Sequence, residues 1–305
     1  AYVALILTLA FTYLALKEKL SDKVALPTIF LISTTMVTQW TNTFWGHPDS
    51  LTLLPISIVM YIRKWWVIII ATLIGCLNDE RFVLAIPFIL LWWLPKEYKN
   101  LKDIFKKLMP IIFPLLIGLF FFVIIRTFLS IGLIGPGIER ETSFLKYLLI
   151  DFGLKGKLFN PSTWPSVLVQ VFLSYRWVWI IVILSVSILM NNGYSLKFFF
   201  FIFSIIGTIL ISTVNADISR TIAFAFPLIP YSLSLIYEHY GGHDTRLTKI
   251  INIFLFLNVL TPAAVVYVVP SDWLTTNPIE WASPALPLPI NLWRWFTAAN
   301  GSITW

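Results

Sequence analysis

The chain has 305 residues, 58% of them hydrophobic and 12% charged, with a formal net charge of +7. A soluble domain usually carries about 25% charged residues, so this composition excludes a water-facing surface over most of the molecule. The exterior is expected to face lipid, where backbone groups are satisfied only inside helices or a closed barrel.

Barrel strands show short segments of alternating polarity. Here the apolar runs are continuous, as at 108–125 and 198–212, so helices are predicted. The basic surplus sits in short connections. That pattern points to membrane topology and anionic lipid headgroups, not to nucleic acid. Cys76, the only cysteine, excludes an intrachain disulfide and a cysteine-based metal cluster. Its apolar surroundings read as a buried small side chain.

Roughly 20 helical residues cross a hydrocarbon core of about 30 Å. On that scale the sequence predicts an all-α integral membrane protein with about ten transmembrane helices, some of them short or re-entrant. They are expected near 1–16, 24–40, 51–63, 64–77, 82–94, 108–128, 164–190, 197–214, 221–237 and 249–269. Ala1 already lies in an apolar helical run, so an upstream segment is expected. The pair 51–77, with Arg63 and Lys64 at its centre, reads equally as two full spans or as a re-entrant hairpin.

Between 129 and 163 the break Gly135-Pro136-Gly137 precedes apolar and charged positions at helical spacing. An amphipathic helix lying in the interface is predicted there. Residues 1–269 thus form one multi-spanning domain, and 270–305 a Trp- and Pro-rich interfacial tail with Trp273, Trp281, Trp293, Trp295 and Trp305. Asn300-Gly301-Ser302 fits a glycosylation sequon, a match too short to weigh.

Lysines and arginines set the orientation. Lys17, Lys19, Lys23, Arg63, Lys64, five lysines over 96–107, Lys197, Arg246 and Lys249 fall in one set of connections, expected to be cytoplasmic. The opposite set holds 38–50, 78–81, 129–163, 215–220 and the tail. It is expected to face the periplasm of a bacterial inner membrane, or a lumen.

Three polar clusters fall on that external side. In Gly46-His47-Pro48-Asp49-Ser50, a capping role for Asp49 or Ser50 at the helix beginning near Leu51 explains the Asp-Ser pair. It does not explain His47, and an imidazole near a carboxylate could bind a metal or activate a hydroxyl. Asn78-Asp79-Glu80-Arg81 reads as a polar turn capped by Asp79. Alternatively, Asp79 and Glu80 serve as base or metal ligands while Arg81 forks onto a phosphate. Asp217-Ile218-Ser219-Arg220 reads as a capped ion pair, or as a phosphate site on Arg220 before a span kinked at Pro227 and Pro230.

Arg126 and Arg176 are further anion candidates, better explained by snorkelling to the interface. His239 and His243 read as loop residues on the other side. No P-loop, HExxH, GxSxG or dinucleotide fingerprint occurs. A substrate delivered within the membrane is therefore favoured over soluble nucleotide chemistry.

Taken in order, GHPDSL (46–51), NDERFVLAIP (78–87) and DISRTIAFAFP (217–227) resemble motifs of the GT-C superfamily of polytopic glycosyltransferases. The similarity spans roughly 24–237 at the level of pattern. It implies sugar transfer from a polyprenyl-phosphate donor on the external face, a base or metal-ligating role for Asp49 and Glu80, and substrate binding by His47, Asp79, Arg81, Asp217 and Arg220. A divalent cation is a possible cofactor; a lipid-linked sugar, membrane lipids and protein partners in a membrane complex are the implied associates. The family's catalytic carboxylate commonly sits in the first external loop, and no acidic external loop precedes residue 41 here. The alternative expectations are a non-catalytic subunit of a larger membrane assembly and, third, a lipid-linked sugar transporter or flippase.

Overall fold

The computed structural model describes residues 2–39, 49–95, 101–130, 164–192, 195–213, 218–261, 263–266 and 281–285. The architecture is helical. In chain order the helices are α1 (Tyr2–Lys17), α2 (Asp22–Ser33), α3 (Met36–Gln39), α4 (Ser50–Tyr61) and α5 (Trp65–Asn78). A 3₁₀ helix (Glu80–Ala85) leads into α6 (Ile86–Trp93), and α7 (Leu101–Ser130) follows. The second half holds α8 (Trp164–Tyr175), α9 (Val178–Asn191), α10 (Ser195–Ser212), α11 (Ile218–Ala223), α12 (Leu228–His239) and α13 (Asp244–Leu260). Two short antiparallel strands, β1 (Ala263–Val266) and β2 (Trp281–Ala285), are the exception.

These helices are apolar on both faces. Leu16, Leu31, Ile56, Ile68 and Phe88 are fully buried, yet Phe203 (77%), Ile6 (65%) and Phe256 (63%) point outward. Hydroxyls within the apolar helices bond back onto their own backbone, where no water need reach them. Thr8 Oγ1 donates to Ala4 O at 2.8 Å, Thr12 Oγ1 to Thr8 O at 2.7 Å, and Thr28 Oγ1 to Val24 O at 2.8 Å. Among the described residues, Lys102–Leu129 is long and apolar enough by itself to cross a membrane.

Close packing joins α1 to α4, α4 to α5, α5 to α7, α9 to α12 and α13 to α2. Gly118 lets α7 approach α5: a Cβ there would stand 2.7 Å from Thr72 Cβ and 2.9 Å from the Ile69 carbonyl oxygen. The described connections sort to two ends. At one, Ser21 Oγ donates to Asp244 Oδ1 at 2.7 Å, and Arg63 lies 3.6 Å from Glu18. At the other lie Asp49, the turn 78–81 and the start of the α11–α12 pair.

The structure corrects four expectations. The run 164–190, expected as one span, is two helices bent by 87°. Arg176 sits at the corner in the left-handed region (φ 54°), which an α-helix cannot contain. Asn258 holds that corner: Arg176 Nη1 donates to its carbonyl at 3.0 Å and the Trp177 N–H to its Oδ1 at 3.0 Å. Arg176 is 1% exposed, so it does not snorkel. The run 221–237 is broken, not merely kinked: α11 ends at Ala223, residues 224–227 form turns, and Pro227 caps α12. The run 249–269 stops being helical at Leu260, because Thr261 turns extended (φ −77°, ψ 128°) ahead of Pro262. The predicted amphipathic helix over 129–163 lies outside the described residues after Ser130, and so does the tail 270–305 apart from β2.

Candidate functional site

The site is built at the end where three connections meet. Asp79 stops α5: its extended backbone (φ −154°, ψ 119°) breaks the helix. Its Oδ1 accepts the Arg81 N–H at 2.9 Å, capping the 3₁₀ turn that follows. The same carboxylate receives the Arg81 side chain through Nε, at 2.9 Å to Oδ1 and 3.0 Å to Oδ2, with Nη2 also on Oδ2. This is the forked geometry a guanidinium makes with a carboxylate. Phe82 then packs beneath α5, against Gly75, where a larger side chain would clash with the ring.

Asp49 reaches the same guanidinium from the start of α4, with Oδ1 3.8 Å from Arg81 Nη2. Its side chain is 5% exposed and makes no capping bond to α4. For Asp49 a charge pairing across the bundle therefore replaces the capping role. Asn78 Nδ2 donates to Thr52 Oγ1 at 2.6 Å, pinning the end of α5 to α4.

The third connection arrives through α11. Arg81 Nη1 donates to Thr221 Oγ1 at 3.3 Å, and its guanidinium carbon lies 4.7 Å from the centre of the Phe224 ring. α11 is itself fixed by α8: Gln170 Oε1 accepts the Ile218 N–H at 3.0 Å, and the Tyr175 hydroxyl donates to Ile222 O at 2.7 Å. Arg81 thus joins groups from α4, the 78–81 turn and α11.

Beside this closed network stands an open one. Glu80 Oε2 lies 3.3 Å from Arg126 Nη2 near the end of α7, with side chains 48% and 36% exposed. Among the described side chains the two networks carry three carboxylates and two guanidiniums.

Of the residues singled out from sequence, Asp49, Asp79 and Arg81 come together, and Glu80 lies next to them with Arg126. His47 and Asp217 lie outside the described residues, as does the side chain of Arg220, whose backbone belongs to α11. Arg81, expected to hold a phosphate, is instead engaged by Asp79, Asp49 and Thr221. Among the described residues no three His, Cys, Asp or Glu side chains gather in a way that could hold a metal. His239 packs on Tyr240, with ring centres 5.5 Å apart. Sequence reasoning missed Thr221, Phe224 and Thr52 as members of the site. An ordinary threonine or phenylalanine in an apolar run carries no signal of its own. Arg126 carried one: an arginine near the end of a long apolar helix needs a counter-charge.

No family model, curated protein or solved structure matches this chain.

Proposed function

We propose that this chain is a multi-pass helical membrane protein that transfers a sugar from a polyprenyl-phosphate donor, with chemistry at Glu80 and Arg126. The membrane part is supported by helices apolar on both faces, by Lys102–Leu129, and by charge gathered at the bundle ends. Helices hydrophobic all round are stable inside a large core or in lipid, and side chains such as Phe203 and Phe256 face outward. The about ten spans, the bacterial inner membrane and the external placing of the site belong to the same proposal.

One observation carries the chemical part. The Glu80–Arg126 pair, 3.3 Å apart and partly open, stands against a buried Asp49–Arg81–Asp79 network that fixes its position. In the proposed step, Glu80 takes the proton from an acceptor hydroxyl as that oxygen bonds to the anomeric carbon. The bond from that carbon to the donor's phosphate oxygen breaks with inversion, and the electron pair leaves on the lipid phosphate. Arg126, with Arg220 from α11, stabilises that phosphate. Asp49, buried and paired, positions the turn.

The test is product formation by membranes containing the full chain, supplied with radiolabelled polyprenyl-phosphate sugars. Glu80→Gln should lower sugar transfer by about 10²-fold or more while leaving the protein folded. Full transfer in that variant defeats the assignment.

A second reading has its own support: all the described charges of the site are paired within the chain, as a purely supporting network would be. On that reading the chain is a non-catalytic subunit of a larger membrane assembly. It then co-purifies stoichiometrically with a partner, and no sugar transfer depends on Glu80.

A further inference from the structure

At the end of the bundle opposite Arg81, the connection 62–64 and the first turn of α5 face the early part of α7 across a groove of about 410 Å³. Arg63 and Lys64 form its polar rim. Trp65, Trp66, Met109 and Phe113 form its walls, and each of these four is about half exposed or more: 64%, 50%, 47% and 59%. No acidic side chain is among the described lining residues. Arg63 is held at the rim by stacking, its guanidinium carbon 4.2 Å from the Trp93 ring centre. Its contact with Glu18 is loose at 3.6 Å, and the Arg63 side chain stays 68% exposed. Lys106 stands one helical turn before the lining residue Pro110, so it shares that face of α7. Its neighbour Lys107 is tied to Asp103 at 3.3 Å.

An apolar ridge continues from the groove. Leu116 (57% exposed), Phe120 (63%) and Val123 (57%) follow Phe113 at helical spacing along α7. Two or three cations at one end of such a ridge match a phosphate joined to a long apolar tail. A free phosphate meets only the rim, and an uncharged lipid only the ridge.

We infer that this groove binds an anionic phospholipid, its phosphate on Arg63 and Lys64 and one acyl chain along Met109, Phe113 and Leu116. Basic pockets between helices at the membrane surface recognise such headgroups. The inference rests on the membrane part of the proposal above, and not on any chemistry at Glu80.

The experiment is native mass spectrometry of the full chain in detergent, titrated with phosphatidylglycerol, phosphatidylcholine or inorganic phosphate. Phosphatidylglycerol should bind in preference to phosphatidylcholine, and inorganic phosphate should not displace it. Each cation near an anionic surface contributes about fivefold. Arg63→Gln with Lys64→Gln should therefore weaken binding by about 25-fold. Lys64→Gln with Lys106→Gln keeps the Arg63–Trp93 stack and should weaken it comparably, which guards against a simple loss of fold. Equal binding of the two lipids, unchanged binding in both double variants, or full displacement by inorganic phosphate overturns the inference. Alkaline carbonate extraction separates the two readings: a chain that stays in the membrane but shows no headgroup preference overturns the groove alone.

Discussion

Arg81 Nη2 stands 3.8 Å from Asp49 Oδ1 while the same guanidinium is forked onto Asp79. One cation thus serves two carboxylates in a site where Asp49 is 3% exposed. Removing Arg81 takes this cation away from both acids, whereas removing Asp49 leaves the Arg81–Asp79 pair intact. Arg81→Gln should cost about 3–5 kcal/mol, in the range for breaking a buried pair, and Asp49→Asn about 1 kcal/mol. Denaturant midpoints of the detergent-solubilised protein measure both, and adding Asp79→Asn to Arg81→Gln should restore part of the loss. Equal costs for the two single variants would show that the guanidinium is not the hub.

Arg126→Gln should separate binding from stability. An ion pair as open as Glu80–Arg126 contributes about 0.2–1 kcal/mol, so the unfolding midpoint should barely move. If Arg126 holds the donor's phosphate, the loss of a charged hydrogen bond of about 1.5–3 kcal/mol raises KM for the donor by roughly tenfold to a hundredfold. A destabilised protein with unchanged KM contradicts this role.

At Gly118, substitution tests the α5–α7 contact. An alanine Cβ would press on Thr72 and the Ile69 carbonyl at 2.7 and 2.9 Å. Both belong to a packed helix, so relief requires backbone movement, and Gly118→Ala should cost about 1–3 kcal/mol. Thermal unfolding in detergent reads it. Gly207, beside which a Cβ meets nothing within 4 Å, supplies the control: Gly207→Ala should not destabilise.

The corner at Arg176 depends on Asn258. Asn258→Leu removes the acceptor of the partly buried Trp177 N–H and the buried donor to Thr34 Oγ1 at 3.2 Å. A buried group left without its partner costs about 1–3 kcal/mol. The loss should appear as faster amide exchange around 176–178, with little change near α4.

A pH effect is expected at the end that carries Ser21. The Asp244 carboxylate is held below its usual range chiefly by the Ser21 hydroxyl, with burial partly opposing and Tyr237 assisting. Asp22 is lowered chiefly by its bond to Lys17, 3.0 Å away. Both acids are depressed in the folded state, so their contribution is complete above the ordinary Asp value and fades as pH falls below about 4. The thermal midpoint should drop over that interval, and Asp244→Asn should flatten the drop. An unchanged profile in that variant removes Asp244 from the account.

Helices overlap the continuous apolar runs, because residues such as those at 108–125 are apolar throughout, but the runs at 164–190, 221–237 and 249–269 are broken or cut short. Counting those runs also put the turns at 46–50 and 78–81 at one end, and Asp49 does lie beside Arg81. The corner at Arg176 was not legible. No glycine or proline lies between Pro165 and Gly193, and the group that fixes the corner, Asn258, comes from a helix far along the chain. Asp79 showed its capping role in sequence, but the fork onto Arg81 and the contact with Thr221 depend on packing between distant helices. The end of α13 was legible in principle, since Pro262 constrains Thr261 to extended geometry.

The polar contacts that join the two halves impose an order on synthesis. Ser21 bonds to Asp244, Thr34 to Asn258 and Arg81 to Thr221, each pairing an early residue with one made much later. While the ribosome is still producing the second half, the first has not yet met these partners. Native closure is therefore a late event, and the nascent chain passes through an interval in which a chaperone or a membrane insertase could engage exposed hydroxyls and charges that the finished protein conceals.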